Sequence, residues 1–110
     1  EIDNLKPLIL NEYFHFVLLH KYVQHGQIVG FIGTSNDTIE MLFINPDFRG
    51  KGVGRVLTNF AVKDLKIKKV DVNEQNFQAI GFYEKLGFKV IGRSELDGQN
   101  KPYPILHLTI

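Results

Sequence analysis

In Arg49-Gly50-Lys51-Gly52-Val53-Gly54-Arg55, glycines fall at alternate positions among basic residues, after the apolar run Met41 to Ile44 and at the start of a helical pattern. Glycines spaced in this way remove the Cβ atoms that would keep a ligand off the backbone. Successive amide N–H groups can then converge on an anion at the beginning of the next helix. Arg49 and Lys51 add positive charge where a pyrophosphate would lie. The chemistry on offer is phosphate recognition; the plainer alternative is a glycine-rich turn that only introduces a helix. Spacing excludes two other phosphate loops. A P-loop needs Gly-Lys-Ser/Thr, and Gly50-Lys51 is followed by Gly52. A dinucleotide fingerprint counted from Gly50 needs glycine where Arg55 stands, and Pro46 breaks the tight strand-to-loop junction.

Such a loop has to be held by a strand before it and a helix after it. Thr38 to Asn45 reads as the strand, with Ile39, Met41 and Phe43 on one face and Glu40, Leu42 and Ile44 on the other. Val53, Val56, Leu57, Phe60 and Ala61 recur at the spacing of one buried helix face, which predicts a helix to about Asp64. Upstream, 18–24 and 28–34 read as strands joined at His25-Gly26-Gln27, and Ser35-Asn36-Asp37 as a second turn. Residues 4–14 stay ambiguous, Pro7 being compatible with a helix start. Downstream, 67–73 reads as a strand, and Ala79, Phe82, Tyr83 and Leu86 form a second helical stripe ending at Gly87. Phe82 reads as core and Gly81 as a close approach of that helix to a neighbour. Phe88 to Arg93 and Tyr103 to Ile110 pair across a long turn, Asp97 to Pro102. The run implies an α+β class mixed sheet with helices packed on it.

With 110 residues, 44% of them hydrophobic and 23% charged, residues 1–110 are expected to be one domain. A net charge of +1, with no massed basic block, gives no reason to expect nucleic acid or a membrane as partner. Lys63, Lys66, Lys68 and Lys69 read as a solvated helix end. The absence of cysteine excludes disulfides, Cys-based metal sites and a thiol nucleophile, and suits a cytoplasmic protein. The four histidines lack metal-ligand spacing, so no metal is expected. No Gly-x-Ser-x-Gly elbow points to a hydrolase. His107 reads as a packed or edge histidine that could also face an acceptor pocket.

The segment Asn76-Phe77-Gln78-Ala79-Ile80-Gly81-Phe82-Tyr83-Glu84-Lys85-Leu86-Gly87-Phe88 stands some way beyond the Arg-x-x-Gly-x-Gly-type loop, on a strand-to-helix junction. The two motifs together, at this separation, resemble the GNAT superfamily of acetyl-CoA-dependent N-acetyltransferases over roughly residues 20–110. The resemblance implies that Arg49, Gly50, Lys51, Gly52, Val53, Gly54 and Arg55 bind the coenzyme A pyrophosphate. It implies too that Leu42, Phe43 and Ile44 line the pantetheine arm, on a strand that splays from the one at 67–73. Asn76 would contact the cofactor, although an Asn N-cap on the following helix is chemically sufficient by itself. Tyr83 would protonate the departing thiolate, a role open to a phenol within hydrogen-bond reach; its alternative is a core tyrosine. Asp71 and Glu40 lie where members of the superfamily carry a general base, and either could instead be a solvated strand residue or an ion-pair partner. Tyr83 would also border the cofactor.

Members usually carry a first strand and a long first helix ahead of the hairpin, where this chain has only residues 1–17. The acceptor side is therefore expected to be open, unless completed by upstream sequence or a second subunit, as in a homodimer. The resulting reading is an N-acetyltransferase that passes acetyl directly from acetyl-CoA to a primary amine of a small molecule or peptide. The alternative is a non-catalytic acyl-CoA-binding or regulatory module on the same scaffold.

Overall fold

Two-residue turns with left-handed backbone organise the first part of the chain. His25 (φ 50°) and Gly26 (φ 76°) join β2 (His15–Gln24) to β3 (Gln27–Ser35). Asn36 (φ 55°) opens the turn from β3 into β4 (Thr38–Ile44). Both loops are of the kind whose twist matches that of antiparallel strands. The computed structural model describes residues 8–12 and 15–110, in two compact units, one ending at Ile67 and the other running from Lys68 to Ile110.

In the first unit, β1 (Leu8–Glu12), part of the segment left open by sequence, pairs antiparallel with β2, which pairs with β3, which pairs with β4. A 3₁₀ turn (Pro46–Phe48) and the glycine loop lead into α1 (Val53–Lys63), capped at Asp64 as its periodicity predicts. Val53, Leu57, Phe60 and Ala61 are buried on it. Each such apolar side chain contributes about 1.5–3 kcal/mol on leaving water. The helix lies so close to β3 that a Cβ on Gly30 would stand 3.0 Å from Val53 Cγ1 and 3.2 Å from Leu57 Cδ1, besides 2.7 Å from the Phe43 carbonyl oxygen of β4.

One expectation about β4 changes. The register steps from Gly33↔Met41 to Thr34↔Ile39, so Glu40 is an extra, bulged residue. The alternation of faces restarts there. Ile39 and Leu42 share the face of Thr34 and Ile32, whereas Met41 and Phe43 lie on the opposite face with Gly33 and Phe31. A strict period of two placed Ile39 with Met41 and Phe43 because nothing in side-chain chemistry marks the bulge.

The second unit is β5 (Lys69–Asn73), α2 (Phe77–Lys85), β6 (Lys89–Ser94) and β7 (Ile105–Thr109). β7 is central and antiparallel to both β5 and β6, which therefore run in the same direction. Val70 and Val72 of β5 and Leu108 of β7 are buried, as are Tyr83 and Phe88. Asp71 and His107, one residue out of phase, lie opposite one another on the other face. Gly87 (φ 104°) ends α2 as read from sequence. Gly81 does not mark a close approach, since a Cβ there would meet nothing within 4 Å. Phe82 is only partly buried, leaving Tyr83 as the one α2 residue that is fully buried.

Candidate active site

The loop in the first unit has the features an anion site requires. Gly50 (φ 75°) and Gly52 (φ 80°) hold left-handed backbone, and a Cβ on either would project into open space. That conformation is costly for residues with a Cβ, and the open space is where a ligand can meet the amides. The α1 hydrogen-bond ladder begins with the Val56 amide donating to the Gly52 carbonyl at 3.0 Å. The amides of Val53, Gly54 and Arg55 thus precede the first bond. Gly52, as N-cap, supplies no side-chain acceptor for them, and the first turn carries no acidic residue. A helix start with free donors, an uncompensated positive dipole end and exposed Arg49, Lys51 and Arg55 attracts a phosphate oxygen. Ahead of the loop, Asn45 Oδ1 accepts from the Asp47 amide at 3.0 Å and shapes the 3₁₀ turn. Lys51 Nζ stands 5.5 Å from the Phe48 ring centre.

On β4, Leu42 and Ile44 are partly buried, while Phe43 is exposed and stacks on Phe31 with ring centres 5.1 Å apart. Glu40, at the bulge, is exposed, and one of its carboxylate oxygens accepts a short hydrogen bond from the Ser35 hydroxyl.

In the second unit, Asn76 is the N-cap of α2: its Oδ1 accepts from the Ala79 amide at 3.1 Å. Arg93 grips Glu74 through two bonds, of 2.6 and 3.1 Å, and holds that carboxyl below its ordinary range. The Tyr83 ring, 4% exposed, packs edge-on against Phe82 and Phe88 with centres 5.1 and 5.4 Å away. Burial pushes its phenol up to about 12, so the proton is retained throughout the neutral range. Among the described residues no hydrogen bond engages its hydroxyl. Nor is that oxygen one of the sealed, unpaired polar atoms, which are His20 Nδ1 and Thr58 Oγ1. The ring is therefore held by the core, and the hydroxyl keeps the proton that a donor needs.

Asp71 is not a lone carboxylate. Its Oδ1 lies 2.7 Å from His107 Nδ1, and His107 Nε2 lies 2.7 Å from the Ser94 hydroxyl. The sequence read His107 as a packed or edge histidine that could face an acceptor pocket, and passed over Ser94. The signal that could have found them is the register that sets β6 and β5 on either side of β7. Among the described residues no group of three or more metal-ligating side chains occurs.

The acetyltransferase (GNAT) domain model matches residues 5–99, and the chain belongs to that family. The chain is 53% identical over 85 residues to the peptidyl-lysine N-acetyltransferase YjaB of Escherichia coli K12, a match covering 77% of this chain and 58% of that protein. The chain thus spans less than two thirds of that relative. The solution structure of apo-form YjaB from Escherichia coli superposes with a TM-score of 0.74 at 50% identity, covering 83% of this chain and 63% of that one. Naa50 of Arabidopsis thaliana, bound to the bisubstrate analogue CoA-Ac-MVNAL, shares the fold with a TM-score of 0.72 at 21% identity, covering 84% of this chain and 71% of that one.

Proposed function

We propose that this chain carries out acetyl-CoA-dependent N-acetylation, with a primary amine, foremost the side-chain amine of a peptide lysine, as acceptor. The observation that carries the reading is the start of α1: free amides at Val53, Gly54 and Arg55, with open space at Gly50 and Gly52. There is room for an anion there, and the left-handed backbone at Gly50 and Gly52 disfavours a residue with a Cβ. Acetyl-CoA, when bound, supplies an activated thioester. In this reading Arg49 to Arg55 hold its pyrophosphate, Leu42, Phe43 and Ile44 flank its pantetheine, and Asn76 adds a polar contact beyond its capping role. Tyr83 supports the leaving thiolate with its proton. The lysine acceptor draws support from the peptidyl-lysine specificity in the name of the YjaB relative.

No helix among the described residues is long and apolar enough to cross a membrane. We place the reaction in the cytoplasm, where acetyl-CoA and unmodified protein lysines meet, and allow a homodimer as the working form. Two measurements test the reading. Coenzyme A and acetyl-CoA should both raise the melting temperature, by mass action on the folded state. Thiol release should then depend on the added amine. Stabilisation without amine-dependent release would make the chain an acyl-CoA-binding module instead.

A further inference from the structure

The face of the second unit that carries Asp71 and His107 holds a hydrogen-bonded chain across its three strands. Asp71 on β5, His107 on β7 and Ser94 on β6 follow one another at 2.7 Å and 2.7 Å. The order constrains the protons. A carboxylate only accepts, so His107 Nδ1 carries the hydrogen given to Asp71, and in the neutral ring Nε2 is left as acceptor for the Ser94 O–H. Nothing seals the chain away: the His107 and Asp71 side chains are 35% and 43% exposed. Gly92 lies across from His107 in the register.

We propose that Ser94, His107 and Asp71 form the proton relay that deprotonates the acceptor amine, with His107 as the base and Asp71 as its positioning residue. This rests on the amine-acetylation reading above. A lysine ammonium, titrating near ~10.4, must lose a proton before its nitrogen can attack. Asp71 already accepts from His107 Nδ1, while Nε2 of the neutral ring is the acceptor at the Ser94 end of the chain, which favours His107 over its partner as the base. Glu40, the other carboxylate candidate, already accepts the Ser35 hydroxyl.

In the step, the ammonium passes one proton to Ser94 Oγ as the Ser94 hydrogen moves to His107 Nε2. The freed lone pair forms the N–C bond to the acetyl carbonyl, and the C–S bond breaks. The thiolate leaves on a hydrogen bond from the Tyr83 hydroxyl and takes up the nitrogen's second proton through solvent, and His107 gives its proton to water. One proton is released overall. The charged groups sharing the relay's face by register are Lys69 and Lys89, both opposite Thr109, besides Asp71 itself. Arg93, opposite Leu106, belongs to the other face and is paired with Glu74.

The test measures kcat/KM against pH for acetyl transfer to a lysine-bearing peptide, with coenzyme A thermal stabilisation recorded for every variant. His107→Gln should lower kcat/KM by ~10² and flatten the acid side of the profile. Asp71→Asn should cost about tenfold and shift the imidazole nitrogen resonances of His107 towards a tautomer mixture. Free imidazole should restore part of the activity of His107→Ala, a gain that a packing defect would not show. Ser94→Ala should lose rate without losing coenzyme A stabilisation, and it stands in if the His107 variants do not fold. A wild-type rate and profile in His107→Gln would overturn the relay while leaving the acetyltransferase reading intact. A wild-type chain that binds coenzyme A and acetylates no amine would overturn both.

Discussion

Replacing Tyr83 with phenylalanine removes one hydroxyl and little else. The ring stays buried by the same neighbours, since its edge contacts with Phe82 and Phe88 belong to carbons that Phe retains. What changes is a phenol that burial holds at about 12. An ordinary thiol titrates near ~8.5, so complete proton transfer to a thiolate is uphill by roughly 5 kcal/mol, and the hydroxyl acts mainly as a hydrogen-bond donor to growing negative charge. A hydrogen bond to a charged group contributes about 1.5–3 kcal/mol, or roughly 10- to 10²-fold in rate. Tyr83→Phe should therefore lower kcat by up to ~10², with coenzyme A affinity unchanged. Stability supplies an independent readout of the same burial. Below pH ~10 both folded and unfolded chains keep the proton; above it the unfolded chain releases it while the folded one holds it to about 12. The wild type should lose roughly 2–3 kcal/mol across that window through this residue, and Tyr83→Phe should not. Urea titrations at pH 8 and at alkaline pH, beside steady-state thiol release, measure both effects. Equal turnover in the two proteins would leave Tyr83 as a packing residue only.

Gly54→Asp puts a carboxylate where an anion is expected and should abolish coenzyme A stabilisation, with a urea titration of the unliganded variant as the folding control. Gly30→Ala, with its Cβ 2.7 Å from a carbonyl oxygen, should cost about 1–3 kcal/mol by overpacking, measured in denaturant. His20 is buried edge-on to Phe60, with ring centres 5.1 Å apart, and burial holds its pKa below the usual range. The unfolded chain therefore takes up a proton first as pH falls past ~6.5. Wild type should lose stability on acidification that His20→Phe retains, as acid-side urea titrations would show.

Much of this was legible in the sequence because local chemistry carried it. The periodicity of Val53, Leu57, Phe60 and Ala61 set α1, and glycine spacing marked the loop ahead of it. Asn76 and Gly87 delimited α2 by capping preferences that need no tertiary information. The illegible parts depend on pairing. The Glu40 bulge follows from how β4 registers on β3, so the faces of Ile39 and Met41 could not be read from alternation. Gly81 invited a close contact that the fold does not make. Asp71 stood out, with Glu40, as a candidate base or an ion-pair partner, while its link to His107 and Ser94 spans residues distant in sequence and exists only because β7 lies between β5 and β6.

The central claim is that residues of this chain pass an acetyl group from acetyl-CoA to an amine without an acyl-enzyme. A rapid-quench single turnover with isotopically labelled acetyl-CoA and a lysine peptide, followed by mass spectrometry of both peptide and protein, tests it most directly. The account predicts label on the peptide lysine as thiol appears, with none on the protein at any time. Label on a protein side chain before it reaches the peptide, or thiol release that leaves the peptide unlabelled, would contradict it.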